Sequence, residues 1–93
     1  MHVKVHILIT GKVQGVFFRS RTRDEANKNN VNGWVRNLPD GRVEAILEGE
    51  KEDVDKVIDF AGKGPSGTKV LDLDIKWLNY SGEFNDFEVR YFN

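Results

Sequence analysis

The 93-residue sequence contains no cysteine, which excludes disulfides, thiolate metal sites, catalytic thiols and thiol redox chemistry. It also lacks an excess of charge, because 14 basic residues stand against 15 acidic ones. A basic nucleic-acid-binding surface or an acidic tail is therefore not expected. The apolar runs are only a few residues long, far below the roughly 20 that span a bilayer. The segment from Met1 to Val5 alternates instead of forming an apolar block, so no signal peptide is expected. These absences predict a cytoplasmic protein without membrane contact.

The apolar content of the chain is sufficient for a folded domain. Leu, Ile, Val and Phe make up about 30% of the residues, whereas disorder is expected below roughly 20%. The length leaves room for one domain rather than two. No linker, repeat or low-complexity segment interrupts the sequence. We therefore expect a single domain over residues 1–93.

The spacing of apolar residues predicts the order β-α-β-β-α-β, followed by a short terminal strand. The turn Leu38-Pro39-Asp40-Gly41 predicts a hairpin between the second and third strands. This order indicates an α+β, ferredoxin-like split βαβ sandwich, in which two helices cover one face of an antiparallel sheet. The predicted strands cover about residues 3–9, 31–37, 43–48, 70–78 and 87–91, and the helices about residues 18–29 and 51–61.

The segment from Gly11 to Arg19 joins the first strand to the first helix and has the features of an anion-binding loop. A helix N-terminus directs backbone N–H groups at one point, and glycines allow such groups to converge. Arg19 can add a guanidinium that binds a phosphoryl group through two hydrogen bonds. The segment is neither a Walker A loop nor a G-x-G-x-x-G motif. On spacing alone, an ordinary glycine-containing loop beside an exposed arginine is the favoured interpretation.

A second motif, from Gly33 to Val43, makes the pattern more specific. The two stretches together resemble the acylphosphatase family, which carries a G-x-V-Q-G-V-x-F-R loop and a G-x-V-x-N-x-x-D-G-x-V hairpin. In this chain these motifs run from Gly11 to Arg19 and from Gly33 to Val43. The Gly64-Pro65 step and the segment from Phe87 to Tyr91 also look like the family's C-terminal part. The resemblance extends over nearly the whole sequence.

The resemblance implies hydrolysis of acyl phosphates, which are carboxylic–phosphoric mixed anhydrides, to a carboxylate and inorganic phosphate. By position, Arg19 corresponds to the phosphate-binding arginine and Asn37 to the asparagine that positions the attacking water. The backbone amides implied to hold the phosphate are those of Gln14, Gly15, Val16, Phe17 and Phe18. No metal and no organic cofactor is implied. The expected partner is a small-molecule acyl phosphate, with no nucleic acid, and the expected state is a monomer.

Two details of the motifs lead to further expectations. Phe18 corresponds to the family's loop phenylalanine and is expected in the core, so its neighbour Phe17 is expected near the mouth of the site, in reach of an acyl group. Family members often carry a hydroxyl residue directly after the asparagine, but this chain has Leu38 there. The supporting hydrogen bond of that hydroxyl is then missing, and Asn37 is expected to be held by the backbone alone.

Two other functions are compatible with the predicted fold. Ferredoxin-like domains include RNA readers, which stack bases on sheet aromatics. The neutral charge and the acidic Asp72, Asp74 and Glu88 of the last strands argue against that function. Related domains also handle carbamoyl phosphate within larger maturation proteins, an alternative that the short chain disfavours.

Overall fold

The computed structural model describes residues 1–15 and 17–91. Within these residues the elements follow the order β1 (His2–Lys12), α1 (Phe18–Lys28), β2 (Asn32–Asn37), β3 (Val43–Glu50), α2 (Lys51–Lys63), β4 (Lys69–Leu78) and β5 (Phe87–Arg90). The strands form one sheet in the order β4-β1-β3-β2-β5. Neither helix of the described part is long and apolar enough to cross a bilayer.

The predicted ferredoxin-like split βαβ arrangement is confirmed. β3 lies between β1 and β2 and pairs antiparallel with both, and β4 pairs antiparallel with the other side of β1. β5 differs from the expected antiparallel sheet, because it lies parallel to β2 and makes the sheet mixed. The direction of β5 depends on the path of the chain after β4, which strand periodicity does not specify.

The core lies between one face of the sheet and the two helices. Alternate residues of β1, namely Val5, Ile7 and Ile9, are fully buried, whereas the residues between them are partly exposed. Both helices contribute a buried stripe to the same hydrophobic cluster, as the periodicity predicts. Its members on the helices are Phe18 and Ala26 of α1 and Val54, Val57 and Ala61 of α2.

β1 continues three residues beyond the predicted end at Ile9. A bulge between Thr10 and Gly11 shifts the register with β4, and Lys12 then pairs with Lys69. The bulge therefore allows the strand to continue past Gly11, where the sequence pattern predicts that it ends.

Gly33 of β2 is required for a different reason, because a Cβ at this position would overlap the carbonyl oxygen of Ile46 on β3. Only glycine permits that close pairing of β2 with β3.

β4 is an edge strand whose apolar face is incompletely covered. Ile75 and Trp77 stand opposite Ile7 and Val5 of β1, so they share the core-facing side of the sheet. Their exposed fractions are nevertheless 39% and 47%, because α2 covers the middle of the sheet more fully than this edge. The alternating pattern correctly predicts the strand, but it does not predict how little of the apolar face is buried.

A buried carboxylate fixes the loop that leads from β4 toward β5. Glu48 of β3 is only 2% exposed, and its Oε2 accepts hydrogen bonds from the backbone N–H and hydroxyl of Ser81 and from the backbone N–H of Gly82. Burial raises the pKa of Glu48, but these hydrogen bonds outweigh it and hold the pKa below its ordinary value. The ionised carboxylate thus stabilises this loop.

Candidate active site

The loop between β1 and α1 is held between two buried side chains. Val13 and Phe18 are each 1% exposed and anchor the two ends of the loop in the core. Between them, Gly15 has a φ of 75°, in the left-handed region that favours glycine. A Cβ at Gly15 would contact nothing within 4 Å, so the conformation rather than crowding requires glycine here. Val16, the third predicted cradle residue, lies outside the described residues.

The start of α1 is favourable for an anion. Phe17 precedes the helix with a φ of 61°, a left-handed conformation that costs a non-glycine residue about 1–2 kcal/mol. The first helical bond runs from the N–H of Arg21 to the carbonyl oxygen of Phe17, at 3.0 Å. The N–H groups before Arg21 belong to the first turn, where the helix provides no acceptors. No acidic residue occupies this turn, so its partial positive charge is not neutralised locally.

Arg19 is the second residue of α1, and its guanidinium is stacked on an aromatic ring. The Cζ atom lies 4.8 Å from the ring centroid of Tyr91, within the range of a cation–π contact. Tyr91 follows β5, in which Arg90 pairs with Arg36 of β2, so the parallel pairing brings Tyr91 to the end of β2. This contact restricts the orientation of the Arg19 guanidinium before any ligand binds.

Asn37 ends β2 and pairs with Val43 across the hairpin. Its side-chain oxygen, Oδ1, is buried and has no hydrogen-bond partner among the described residues. An unpaired buried acceptor costs about 1–3 kcal/mol, so such atoms often mark positions that a ligand or water completes. An amide cannot take up a proton near neutral pH, and Oδ1 can only accept a hydrogen bond. The arrangement is therefore suited to orienting a water molecule.

The side chain of Gln14 connects the loop to the β2–β3 hairpin. Its Nε2 donates to the carbonyl oxygens of Leu38 and Arg42, each at 2.9 Å. The sequence predicted a role for the backbone of Gln14 only, and this side-chain contact is a new finding. The hairpin also has its own bond from the N–H of Leu38 to the carbonyl of Arg42, at 2.8 Å. The residue next to Asn37 is thus held by Gln14 as well as by the backbone, although Leu38 carries no hydroxyl.

The tip of the hairpin that follows Asn37 carries an ion pair between Asp40 and Arg42. The backbone N–H of Arg42 donates to Asp40 Oδ1 at 3.1 Å and lowers the pKa of that carboxyl. The Arg42 side chain contributes in the same direction through its Nε, 2.8 Å from Oδ2. Gly41 supplies the positive φ, 95°, that the turn was predicted to need. This closed turn fixes the end of the strand that carries Asn37.

A cavity of about 320 Å³ brings most of the predicted site residues together. Its lining includes five of them: Gly15, Phe17, Phe18, Arg19 and Asn37. Gln14 does not line the cavity, and its side chain instead binds the hairpin that follows Asn37. The core position of Phe18 is confirmed, and Phe17, 77% exposed, lies at the mouth as expected. The remaining lining residues are Val13, Ser20, Arg23, Val89 and Tyr91.

Sequence reasoning missed Tyr91 and Arg23 as parts of this cavity. Tyr91 depends on the pairing of β5 with β2, for which the sequence offers no local signal. Arg23 could have been found, because it lies four residues after Arg19 and so shares its helix face. Within the described part of the chain, no three His, Asp or Glu side chains cluster as metal ligands.

Comparisons with known proteins give matches over nearly the whole chain. The sequence model of the family described as Acylphosphatase matches residues 5–89. An acylphosphatase of Pyrobaculum calidifontis is 59% identical over 88 residues, 94% of this chain and 80% of that protein. An acylphosphatase of Syntrophus aciditrophicus is 52% identical over 91 residues, 98% of this chain and 95% of that protein. The crystal structure of acylphosphatase from Bacillus subtilis is similar with a TM-score of 0.91 and 31% identity, covering 96% of this chain and 99% of that chain. The family match includes both segments that contribute Arg19 and Asn37.

Proposed function

The chain belongs to the acylphosphatase family and hydrolyses acyl phosphates, and we propose that Arg19 and Asn37 divide the catalytic work between them. Arg19 and the backbone N–H groups of the loop and of the first turn of α1 bind the phosphoryl oxygens. Asn37 orients the attacking water. All of these groups come from one chain, so we propose the monomer as the catalytic unit.

Phosphate binding in this proposal relies on fixed donors. Charge spreads over three phosphoryl oxygens during transfer, and preorganised N–H groups stabilise that charge without rearranging. The left-handed Phe17 supports this assignment, because strained backbone at a non-glycine residue is commonly retained where it serves a site. The stacking of Arg19 on Tyr91 supports it further, since a guanidinium already held in place loses less entropy on binding.

The observation that carries the proposal is Oδ1 of Asn37, which has no hydrogen-bond partner in the described part of the chain and belongs to a residue that lines the same cavity as Arg19. A water that donates a hydrogen bond to Oδ1 directs a lone pair at the phosphorus. The bond from the water oxygen to phosphorus forms as the bond from phosphorus to the acyl oxygen breaks. The carboxylate leaves, a phosphoryl oxygen accepts one proton of the water, and the other proton stays on the attacking oxygen. An acyl phosphate has a good leaving group, so Asn37 contributes through positioning rather than as a base.

Hydrolysis of benzoyl phosphate in the presence of EDTA tests these roles. Wild-type turnover is expected to persist with the chelator, and Arg19→Ala and Asn37→Ala are each expected to lose at least about 100-fold in kcat. Arg21→Ala removes an equal charge from the same helix outside the cavity and serves as the matched control. A wild-type protein that is inactive in EDTA and recovers with a divalent metal ion would contradict the metal-free mechanism.

Inhibition by inorganic phosphate separates the two residues. Phosphate binding needs Arg19 but not the water, so Arg19→Ala is expected to raise the inhibition constant, whereas Asn37→Ala is expected to leave it nearly unchanged. An Asn37→Ala variant with full activity would exclude the water-positioning role. A large loss of phosphate affinity in Asn37→Ala would instead assign this residue to phosphate binding.

A further inference from the structure

The cavity that contains Arg19 also contains a second cation, Arg23. Arg23 follows Arg19 by four residues in α1, so both side chains project from the same face of the helix. Its side chain is 42% exposed. Its ion pair is weak in geometry, because Nε and Nη2 both lie 3.4 Å from Oδ1 of the adjacent Asp24. The Arg23 guanidinium therefore remains available to a ligand.

The charges around the cavity are unbalanced. Two guanidinium groups line it, and the described lining residues include no carboxylate. Like charges four residues apart on a helix repel and destabilise it. One phosphoryl group, bound by Arg19 and backbone N–H groups at the loop, leaves Arg23 without a ligand at its own position on the helix. A substrate with a second anionic group, separate from the phosphoryl group, supplies that ligand.

The position of Arg23 along α1 indicates which part of the substrate it meets. Arg19 lies beside the loop at the start of the helix, whereas Arg23 lies about 6 Å further along the helix axis. A phosphoryl group held at the loop is smaller than this separation between the two helix positions. Arg23 therefore faces the acyl part of a bound acyl phosphate. The apolar Val89 and Phe17 also line the cavity and can contact the carbon skeleton of that part.

We propose that Arg23 binds an oxyanion, a carboxylate or phosphate, on the acyl group of the substrate. This inference rests on the proposed function, because it takes the phosphoryl group to be held at the loop. It assigns a preference among acyl phosphates: substrates whose acyl group is itself anionic bind and react better than neutral ones of the same shape. Arg23 is a specificity residue in this arrangement and takes no part in the transfer of the phosphoryl group.

A pair of matched substrates tests the proposal. 4-Carboxybenzoyl phosphate and 4-carbamoylbenzoyl phosphate are nearly the same size, but only the first has an anionic acyl group. Wild-type kcat/KM is expected to be about tenfold higher for the carboxylate, the effect of one partly exposed charge-assisted hydrogen bond. Arg23→Gln is expected to reduce this ratio to about one, and Arg23→Lys to retain part of it. A 4-phosphonobenzoyl substrate shows which oxyanion is preferred.

The control is Arg21→Gln, which removes the same charge from the same helix at a residue outside the cavity lining. It is expected to keep the wild-type ratio. Equal wild-type kcat/KM for the two substrates would overturn the proposal, as would an equal loss of the ratio in Arg21→Gln. These results differ from failure of the proposed function, which would appear as no turnover of any of the substrates, benzoyl phosphate included.

Discussion

Replacing Gln14 by methionine removes the contact between the phosphate loop and the hairpin while keeping most of the side-chain volume. Two hydrogen bonds of 2.9 Å, to the carbonyls of Leu38 and Arg42, are lost. At about 1 kcal/mol for each bond, the free energy of unfolding is expected to fall by about 2 kcal/mol. A 93-residue domain unfolds with an entropy of about 0.2 kcal/mol/K, so the Tm is expected to fall by about 10 °C.

The same substitution is expected to lower kcat more than it changes KM. Asn37 directly precedes Leu38, and a displacement of about 1 Å in a positioning group can cost about 100-fold in rate. Thermal unfolding and steady-state kinetics with benzoyl phosphate measure both effects. The matched control is Asn32→Leu, which removes a similar amide bond, Nδ2 to the carbonyl of Phe84 at 3.1 Å, from the opposite end of β2. It is expected to lower the Tm with little effect on kcat.

Two results would refute this reasoning about Gln14. If Gln14→Met leaves the Tm unchanged, the two hydrogen bonds contribute nothing to the folded state in solution. If the Tm falls but kcat stays within about twofold of wild type, the contact stabilises the fold without positioning Asn37. In that case the backbone of the hairpin alone holds the amide, as the sequence led us to expect.

Three other substitutions give separate tests of the structure. Gly15→Ala forces a side chain into the left-handed region, so the free energy of unfolding measured by thermal denaturation is expected to fall by about 1 kcal/mol. The same variant is expected to bind phosphate more weakly in calorimetry. Thr22→Val removes a fully buried hydroxyl with no hydrogen-bond partner among the described residues. The free energy of unfolding measured with urea is therefore expected to rise by about 1 kcal/mol, and a fall would show that the hydroxyl has a hydrogen-bond partner. The native pKa of Glu48 is lowered, so its stabilisation is complete above its ordinary value of 4.5 and is lost as the pH falls through the lower native value. Urea unfolding of Glu48→Gln is therefore expected to lose less stability between pH 7 and pH 3 than wild type, and equal losses would contradict the assignment.

The parts of the molecule that depend on local sequence could be predicted. The spacing of apolar residues gave both helices and all five strands, because burial of one face imposes a period on each element. The loop and hairpin motifs also named Arg19 and Asn37, which line one cavity in the structure. Such motifs can be read from the sequence because each is a short continuous segment whose backbone shape is set by its own glycines and turn residues.

The parts that depend on pairing between distant segments could not be predicted. Tyr91 reaches Arg19 only because β5 lies parallel to β2, and nothing in the sequence of β5 specifies that partner. The contact of Gln14 with the hairpin likewise requires two loops to meet. The poor coverage of Ile75 and Trp77 reflects the position of β4 at the edge of the sheet, whereas the alternating pattern is the same for edge and central strands.

The parallel pairing of β5 also has a consequence for the order of folding. Tyr91 covers Arg19 at the end of a strand whose first residue, Phe87, pairs with Gly33, so this part of the site forms through a contact of long sequence separation. Closing so long a loop costs entropy before the contact is gained, and contacts of this kind slow the folding of small domains. Helix formation in α1, which needs only local contacts, can therefore precede the stacking of the Arg19 guanidinium on Tyr91. Formation of the contact between Arg19 and Tyr91 during refolding would then report the docking of the last strand rather than the collapse of the core.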